Sequence, residues 1–202
     1  MPEKPAITQV PVDPLIARRW SARAIDPDRP VERNQLVALL EAARWAPSCN
    51  GDEPWRYLVW DRWRDADSWQ RALGCLTERN RFWARNAPVL LLAASASRFE
   101  QTGNPNRWGR YDTGAASENL CLQAGALGLV AHQMGGFDAE QLRREFAVPD
   151  AFACMSMIAV GHPGPLELLD EDYRKKELAA RRRAALATRF FEGTWGNPVA
   201  PD

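Results

Sequence analysis

Ala46-Pro47-Ser48-Cys49-Asn50-Gly51-Asp52-Glu53-Pro54-Trp55 lies between two segments of different periodicity. Upstream, Leu36, Leu39, Leu40 and Ala43 recur at helical spacing over residues 33 to 46, and Pro47 stops that helix. Downstream, Arg56 to Asp61 reads as a strand. Proline and glycine make the residues between them a turn. Two readings of the turn stay open. Either its backbone donors and Trp55 line a flat aromatic ligand, or it simply joins helix to strand over a core tryptophan.

Moving outward, Asp65 or Asp67 can cap a helix through Trp69, Leu73 and Leu76, and Pro88 opens a buried strand, Val89 to Ala94. The polar segment Ser95 to Arg110, with Gly103, Asn104, Pro105 and Asn106, reads as a loop. From Asp112 to Leu127, Ala115, Asn119, Leu122 and Ala126 recur at helical spacing, with Gly128 placed to end the helix. A helix so rich in small residues is expected to be buried. Asp138 and Gln141 resemble a capping box for a short helix ending near Phe146, and Ala153 to Val160 reads as a strand closed by Gly161.

The 202 residues, 46% hydrophobic and 26% charged, have ordinary globular composition and suffice for one well-cored domain over 1–202. The longest apolar run is the eight residues Ala87 to Ala94, far short of the roughly 18 a membrane span needs. Met1 to Val10 contains no apolar signal core. No membrane partner and a cytoplasmic location are therefore expected. Basic and acidic residues balance at 26 each, so no net field draws the chain to nucleic acid, and a small-molecule partner is expected. The scattered Cys49, Cys75, Cys121 and Cys154, with only His132 and His162 for company, make neither a disulfide framework nor a metal site.

There is no G-x-S-x-G, no H-E-x-x-H, no Walker loop and no G-x-G-x-x-G after a strand. If the chain is an enzyme, a cofactor supplies the reactivity. Arg18-Arg19-Trp20-Ser21-Ala22-Arg23 sets three guanidinium groups beside a hydroxyl, as a phosphate or polyol clamp would, and Arg181-Arg182-Arg183 offers more cations. Both runs also read as solvated charge on helix ends. The charged stretch Glu167 to Arg183 leads into Phe190, Phe191 and Trp195 with no clear period. Such aromatics pack either on the chain's own core or on a second subunit.

The order Arg19-x-Ser21-x-Arg23, a helix running into Ala46-Pro47-Ser48 and Pro54-Trp55, Asn80 ahead of Pro88, the helix Gly114 to Gly128, Gly135-Gly136-Phe137-Asp138, Arg181-x-Arg183 and Trp195-Gly196 resembles the FMN-dependent nitroreductase family. The match spans roughly residues 15 to 197. The resemblance implies an α+β fold, a largely antiparallel central sheet flanked by helices. It also implies an obligate homodimer with FMN at the interface, helix 112 to 127 as the central interface helix, and a C-terminal tail that crosses to the partner subunit.

By position, the resemblance implies that Arg19 and Ser21, with Trp20 between them, and Arg181 and Arg183 hold the FMN phosphate and ribityl chain. Arg23 falls near flavin N1 and O2, Asn80 at the ring edge, and the Gly135-Gly136 backbone at N5, where the absence of a Cβ permits close approach. The resemblance likewise implies that Pro47, Ser48, Cys49 and Asn50 contact the flavin, although Gly51 and Glu53 stand where the family has asparagine and glutamine. The implied activity is ping-pong hydride transfer from NADH or NADPH through flavin N5 to a nitroaromatic, quinone or similar planar acceptor, with no catalytic side chain. Phe99, Trp108 and Tyr111, on or beside the loop 95 to 110, are candidate substrate contacts. The same resemblance covers ene-reduction, dehalogenation, flavin fragmentation and non-catalytic FMN binding. A single-stranded nucleic-acid surface, the alternative of another class, lacks the basic excess it needs.

Overall fold

The computed structural model describes residues 2–199. Its centre is one antiparallel sheet of β1 (Trp55–Asp61), β2 (Val89–Ala96), β3 (Val130–Met134) and β4 (Phe152–Gly161), in the order β1-β2-β4-β3. The helices are α1 (Pro14–Arg18), α2 (Arg33–Arg44), α3 (Ala66–Gly74), α4 (Glu78–Ala84), α5 (Gly109–Ala126), α6 (Ala139–Phe146) and α7 (Glu171–Leu178). This is the expected α+β architecture.

The period-2 alternation of strand side chains divides the interior into two cores. Leu90, Leu92 and Ala94 of β2 and Met157 and Ala159 of β4 face Trp69 and Leu73 of α3, Trp83 of α4, Leu142 of α6 and Tyr173 of α7. Val89, Leu91, Ala93, Ile158 and Val160 face Leu36 and Leu39 of α2 and Ala116 and Leu120 of α5. Helices on both faces explain why β2 reads as a continuous apolar run.

Local chemistry sets the boundaries. Asp65, the nearer of the two candidate caps, accepts from the Ser68 amide at 3.0 Å, and Asp138 accepts from the Gln141 amide at 2.8 Å. Helix α3 stops at Gly74, so Leu76 lies beyond it, bridged to Phe137. Gly161, at the end of β4, is demanded by packing, since a Cβ there would stand 2.5 Å from Ile25 Cγ2 and 2.7 Å from Pro88 Cδ. Gly161→Ala is expected to cost about 1–3 kcal/mol through overpacking, read as a lower urea midpoint at unchanged m-value.

Three expectations are corrected. Helix α5 starts at Gly109, ahead of Asp112, and Gly109 lies against the Ala96 carbonyl with no room for a Cβ. Its buried stripe is Asp112, Thr113, Ala116, Ser117, Leu120, Cys121 and Ala124; Ala115, Asn119 and Leu122 are only partly covered and Ala126 is exposed. The apolar spacing located the helix but not the face that this chain buries. The tail aromatics do not pack on the chain's own core: Phe190 is 57% and Trp195 92% exposed. They close a local turn instead, with the Phe191 and Trp195 rings 5.1 Å apart. Among the described residues no helix is long and apolar enough to cross a membrane.

Candidate functional site

After α1 the chain runs extended, and its burial alternates: Ala22 and Ala24 are fully buried while Ser21 and Arg23 are partly open. That alternation puts Arg19, Ser21 and Arg23 on one side of the segment. The Gly164 amide donates to Ala24 O at 2.8 Å, the Asp26 amide donates to His162 O at 2.9 Å, and His132 Nδ1 lies 3.0 Å from Ala22 O. The segment is therefore fixed by backbone on one side and by a buried imidazole on the other.

Cations gather on its open side. Arg19 Nε pairs with Glu118 of α5 at 3.2 Å and its Nη1 lies 3.5 Å from Ser21 Oγ. Arg181 arrives from the far end of the chain and donates to Ala17 O at 2.7 Å and Lys4 O at 3.0 Å. Burial, then the charges of Arg19 and Arg183, lower the Arg181 pKa, the mark of guanidinium groups crowded together. Arg183 itself is exposed and donates to Arg182 O. Trp20 is half-buried with Lys4 Nζ 4.4 Å over its ring. Arg19 and Trp20 also line a cleft of about 610 Å³ that runs along Cys121, Ala126 and Val130.

Arg23 is clasped. Glu177 accepts from its amide at 3.1 Å and from its Nη1 at 3.2 Å, and its guanidinium faces the rings of Tyr173 at 5.7 Å and Trp83 at 6.0 Å. The Trp83 ring also lies tilted against His132 with ring centroids 4.5 Å apart, and the His132 pKa is pushed down to about 4 by burial and then by the Arg23 charge.

At the start of α4, whose Trp83 faces Arg23, the Gly136 carbonyl accepts three hydrogen bonds: from the Thr77 amide at 3.1 Å, Thr77 Oγ1 at 3.1 Å and Asn80 Nδ2 at 3.0 Å. They turn that carbonyl into the N-terminus of α4. Among the described residues the Gly136 amide donates to no acceptor. A Cβ on Gly136 would stand 2.7 Å from Asn80 Nδ2 and 2.9 Å from Thr77 Oγ1, whereas Gly135 has open space. Gly136→Ala is expected to displace Asn80 and Thr77 from the Gly136 carbonyl and to cost about 1–3 kcal/mol through overpacking, read as a lower urea midpoint at unchanged m-value.

The loop of residues 46–55 belongs to another region of the same chain. The Cys49 amide donates to Asp112 Oδ2 of α5 at 3.0 Å. Buried Asp52 accepts from the Glu100 amide at 2.9 Å and from Asn106 Nδ2 at 3.0 Å. Asn50, Gly51 and Glu53 all have positive φ, at 56°, 65° and 47°, so the loop holds strain that these anchors oppose. Pro47 and Asn50 are exposed, and Ser48 Oγ accepts from the Glu53 amide at 3.0 Å. Phe99 is half-buried in the loop after β2, Trp108 precedes α5, and Tyr111 lies in the first turn of α5, its ring 6.4 Å from that of Trp108.

Two half-sites result. Arg19, Ser21, Arg23, Arg181, Asn80 and Gly136 are set around the 19–24 segment and α4, while Pro47 to Asp52 gather with the 97–108 loop at the N-terminus of α5. No hydrogen bond or ion pair among the described residues joins the two groups. Sequence reasoning missed His132, Thr77, Asp112 and Glu177. For Glu177 the only signal was Tyr173-x-x-x-Glu177, which puts both residues on one helical face inside a charged run.

Comparison with known proteins follows the same line. The nitroreductase family model matches residues 16–162, and the chain belongs to the nitroreductase family. An uncharacterised 15.4 kDa protein of Mycolicibacterium smegmatis is 35% identical over 137 residues, covering 66% of this chain and 89% of that one. A Streptomyces coelicolor protein provisionally named an NADH dehydrogenase/NAD(P)H nitroreductase is 32% identical over 158 residues, 68% of this chain and 77% of its own length. Among solved structures, an oxidoreductase containing FMN superposes with a TM-score of 0.88 at 34% identity, covering 95% of this chain and 96% of that one. A provisionally named nitroreductase in complex with FMN from Desulfovibrio desulfuricans gives 0.70 at 25% identity, covering 93% and 99%.

Proposed function

We propose that this protein is an FMN-dependent oxidoreductase that draws hydride from NADH or NADPH and delivers electrons to a planar electrophile such as a nitroaromatic or quinone. The observation that carries the reading is the meeting of Arg19 and Arg181, from opposite ends of the chain, beside Ser21. Beside α4, whose Trp83 ring faces Arg23, the Gly136 carbonyl is held by Thr77 and Asn80, and among the described residues its amide donates to no acceptor. The donor set fits the cofactor: guanidinium forks and a hydroxyl suit a phosphate and its polyol chain. A backbone with no Cβ lets a flat ring approach.

FMN, when bound, would supply the two-electron redox chemistry. The chain's own residues bind and orient. Arg19, Arg181 and Ser21 hold the phosphate end, with Arg183 adding charge nearby. Arg23 offers a fixed cation where negative charge accumulates on reduction. Asn80 fixes the Gly136 peptide and keeps its Oδ1 for the ring edge.

The split between half-sites supports a homodimer in which Pro47 to Asn50, Phe99, Trp108 and Tyr111 of a second copy complete each site. The exposed tail, with Trp195 and Phe190 unburied on their own chain, is read as the segment that crosses to that copy. Titrating apoprotein with FMN, followed by flavin fluorescence quenching and light scattering, tests this reading. One FMN per chain in a dimer is expected. A monomer that binds FMN equally well would remove the shared site.

A further inference from the structure

Glu177 is the most deeply buried charge among the described residues, with no exposed surface. It sits near the C-terminus of α7, a helix started by Asp170, which accepts from the Tyr173 amide at 2.8 Å. Both of its carboxylate oxygens go to one residue: Oε2 takes the Arg23 amide and Oε1 takes Arg23 Nη1. The first bond fixes where residue 23 lies and the second fixes where its guanidinium points. Tyr173, one turn earlier on α7, flanks that guanidinium and is itself locked by its hydroxyl donating to Arg79 O at 2.6 Å. The Arg23 side chain remains 27% exposed, so the clasp leaves one side of the cation open.

Burying a carboxylate costs several kcal/mol, and an apolar residue fills a core position without that penalty. A role confined to packing therefore does not account for an acid here. Resting on the FMN reading above, we propose that Glu177 is a positioning residue that pins Arg23 toward the flavin pyrimidine. Its negative charge also moderates the field there, setting how strongly the site favours reduced over oxidised FMN. The titratable groups facing the pair include Lys4, which feels both Glu177 and Arg23, and His132, which feels Arg23; Arg181 lies near Lys4 in turn.

The test is Glu177→Gln, nearly equal in volume and able to keep one of the two hydrogen bonds from Arg23. Removing the negative charge is expected to raise the preference for reduced FMN about tenfold, an upward shift of about 30 mV in the two-electron midpoint potential, measured by dye equilibration. An unchanged or lowered potential in a variant that binds FMN would overturn the proposal. Glu177→Asp keeps the charge but withdraws it by one methylene. Its potential should stay at the wild-type value while FMN binding weakens about fivefold or more as the charged hydrogen bonds lengthen. Unchanged binding would overturn the positioning role, and this variant decides alone if thermal melting shows that Glu177→Gln does not fold. Wild-type protein that takes up no FMN would overturn the FMN reading and this inference together.

Discussion

Replacing both Arg19 and Arg181 with alanine is expected to weaken FMN binding by about three orders of magnitude. Each guanidinium contributes a charge-assisted hydrogen bond worth about 1.5–3 kcal/mol, so the pair together accounts for roughly 3–6 kcal/mol, and every 1.4 kcal/mol or so is tenfold in affinity. Both residues also serve the fold, Arg19 through Glu118 and Arg181 through Ala17 O and Lys4 O. Binding of riboflavin separates the two roles, because it has the ring and ribityl chain but no phosphate. The double variant should lose FMN affinity and keep most of its riboflavin affinity. Equal losses for both ligands would mean that the cluster holds the fold rather than the phosphate.

The second large effect is on stability at mildly acidic pH. His132 is buried beneath Trp83, and burial, then the charge of Arg23, hold its pKa at about 4. In the unfolded chain an imidazole titrates near 6.5. Between these values the unfolded state binds a proton that the folded state refuses, so stability falls as pH falls. Above about pH 7 the group contributes no pH dependence. From about 6.5 down to about 4 the loss accumulates to about 3 kcal/mol, at 1.36 kcal/mol per unit. Lowered by burial, His162 acts in the same direction, so the informative quantity is the difference between wild type and His132→Asn. The asparagine amide can still donate to Ala22 O but takes no proton. Urea unfolding at pH 7 and pH 5 should show a steeper loss for wild type, and parallel losses would show that His132 titrates normally.

These two sites differ in how far the sequence revealed them. Arg19, Ser21 and Arg23 were legible as guanidinium groups beside a hydroxyl, and only the structure shows that they share one side of an extended segment. Their relation to Arg181 came only through the family resemblance, since a contact between opposite ends of a chain leaves no local pattern. The strand β3 went unread because His132 and Gln133 interrupt its apolar run, yet His132 is buried by Trp83 and bonded to Ala22 O. A histidine looks polar until a carbonyl satisfies it. Helix α7 was read only as charge, because Glu177 is hidden among solvated acids and becomes distinctive only when Arg23 is seen to meet it.

The loop 46–55 shows the opposite case. Its turn character was evident from Pro47, Gly51 and Pro54, and both of its readings remain compatible with what the structure shows inside one chain. Trp55 is a core residue, whereas Pro47, Asn50 and Gly51 are exposed. What sequence could not show was that Asp112 and Asn106 would tether this loop to the N-terminus of α5, away from the arginines. A site completed by a second chain, as proposed above, would be a property of two chains, so no single-chain pattern encodes it directly.

The central claim, that the arginine cluster and the Gly136 peptide frame an FMN site used for hydride transfer, is tested most directly by an anaerobic visible spectrum. The protein is loaded with FMN, desalted, and then given NADH or NADPH. A retained flavin band that bleaches with at least one of the nucleotides is the expected result. A protein that leaves the desalting column colourless, or a bound flavin that neither nucleotide reduces, would contradict it.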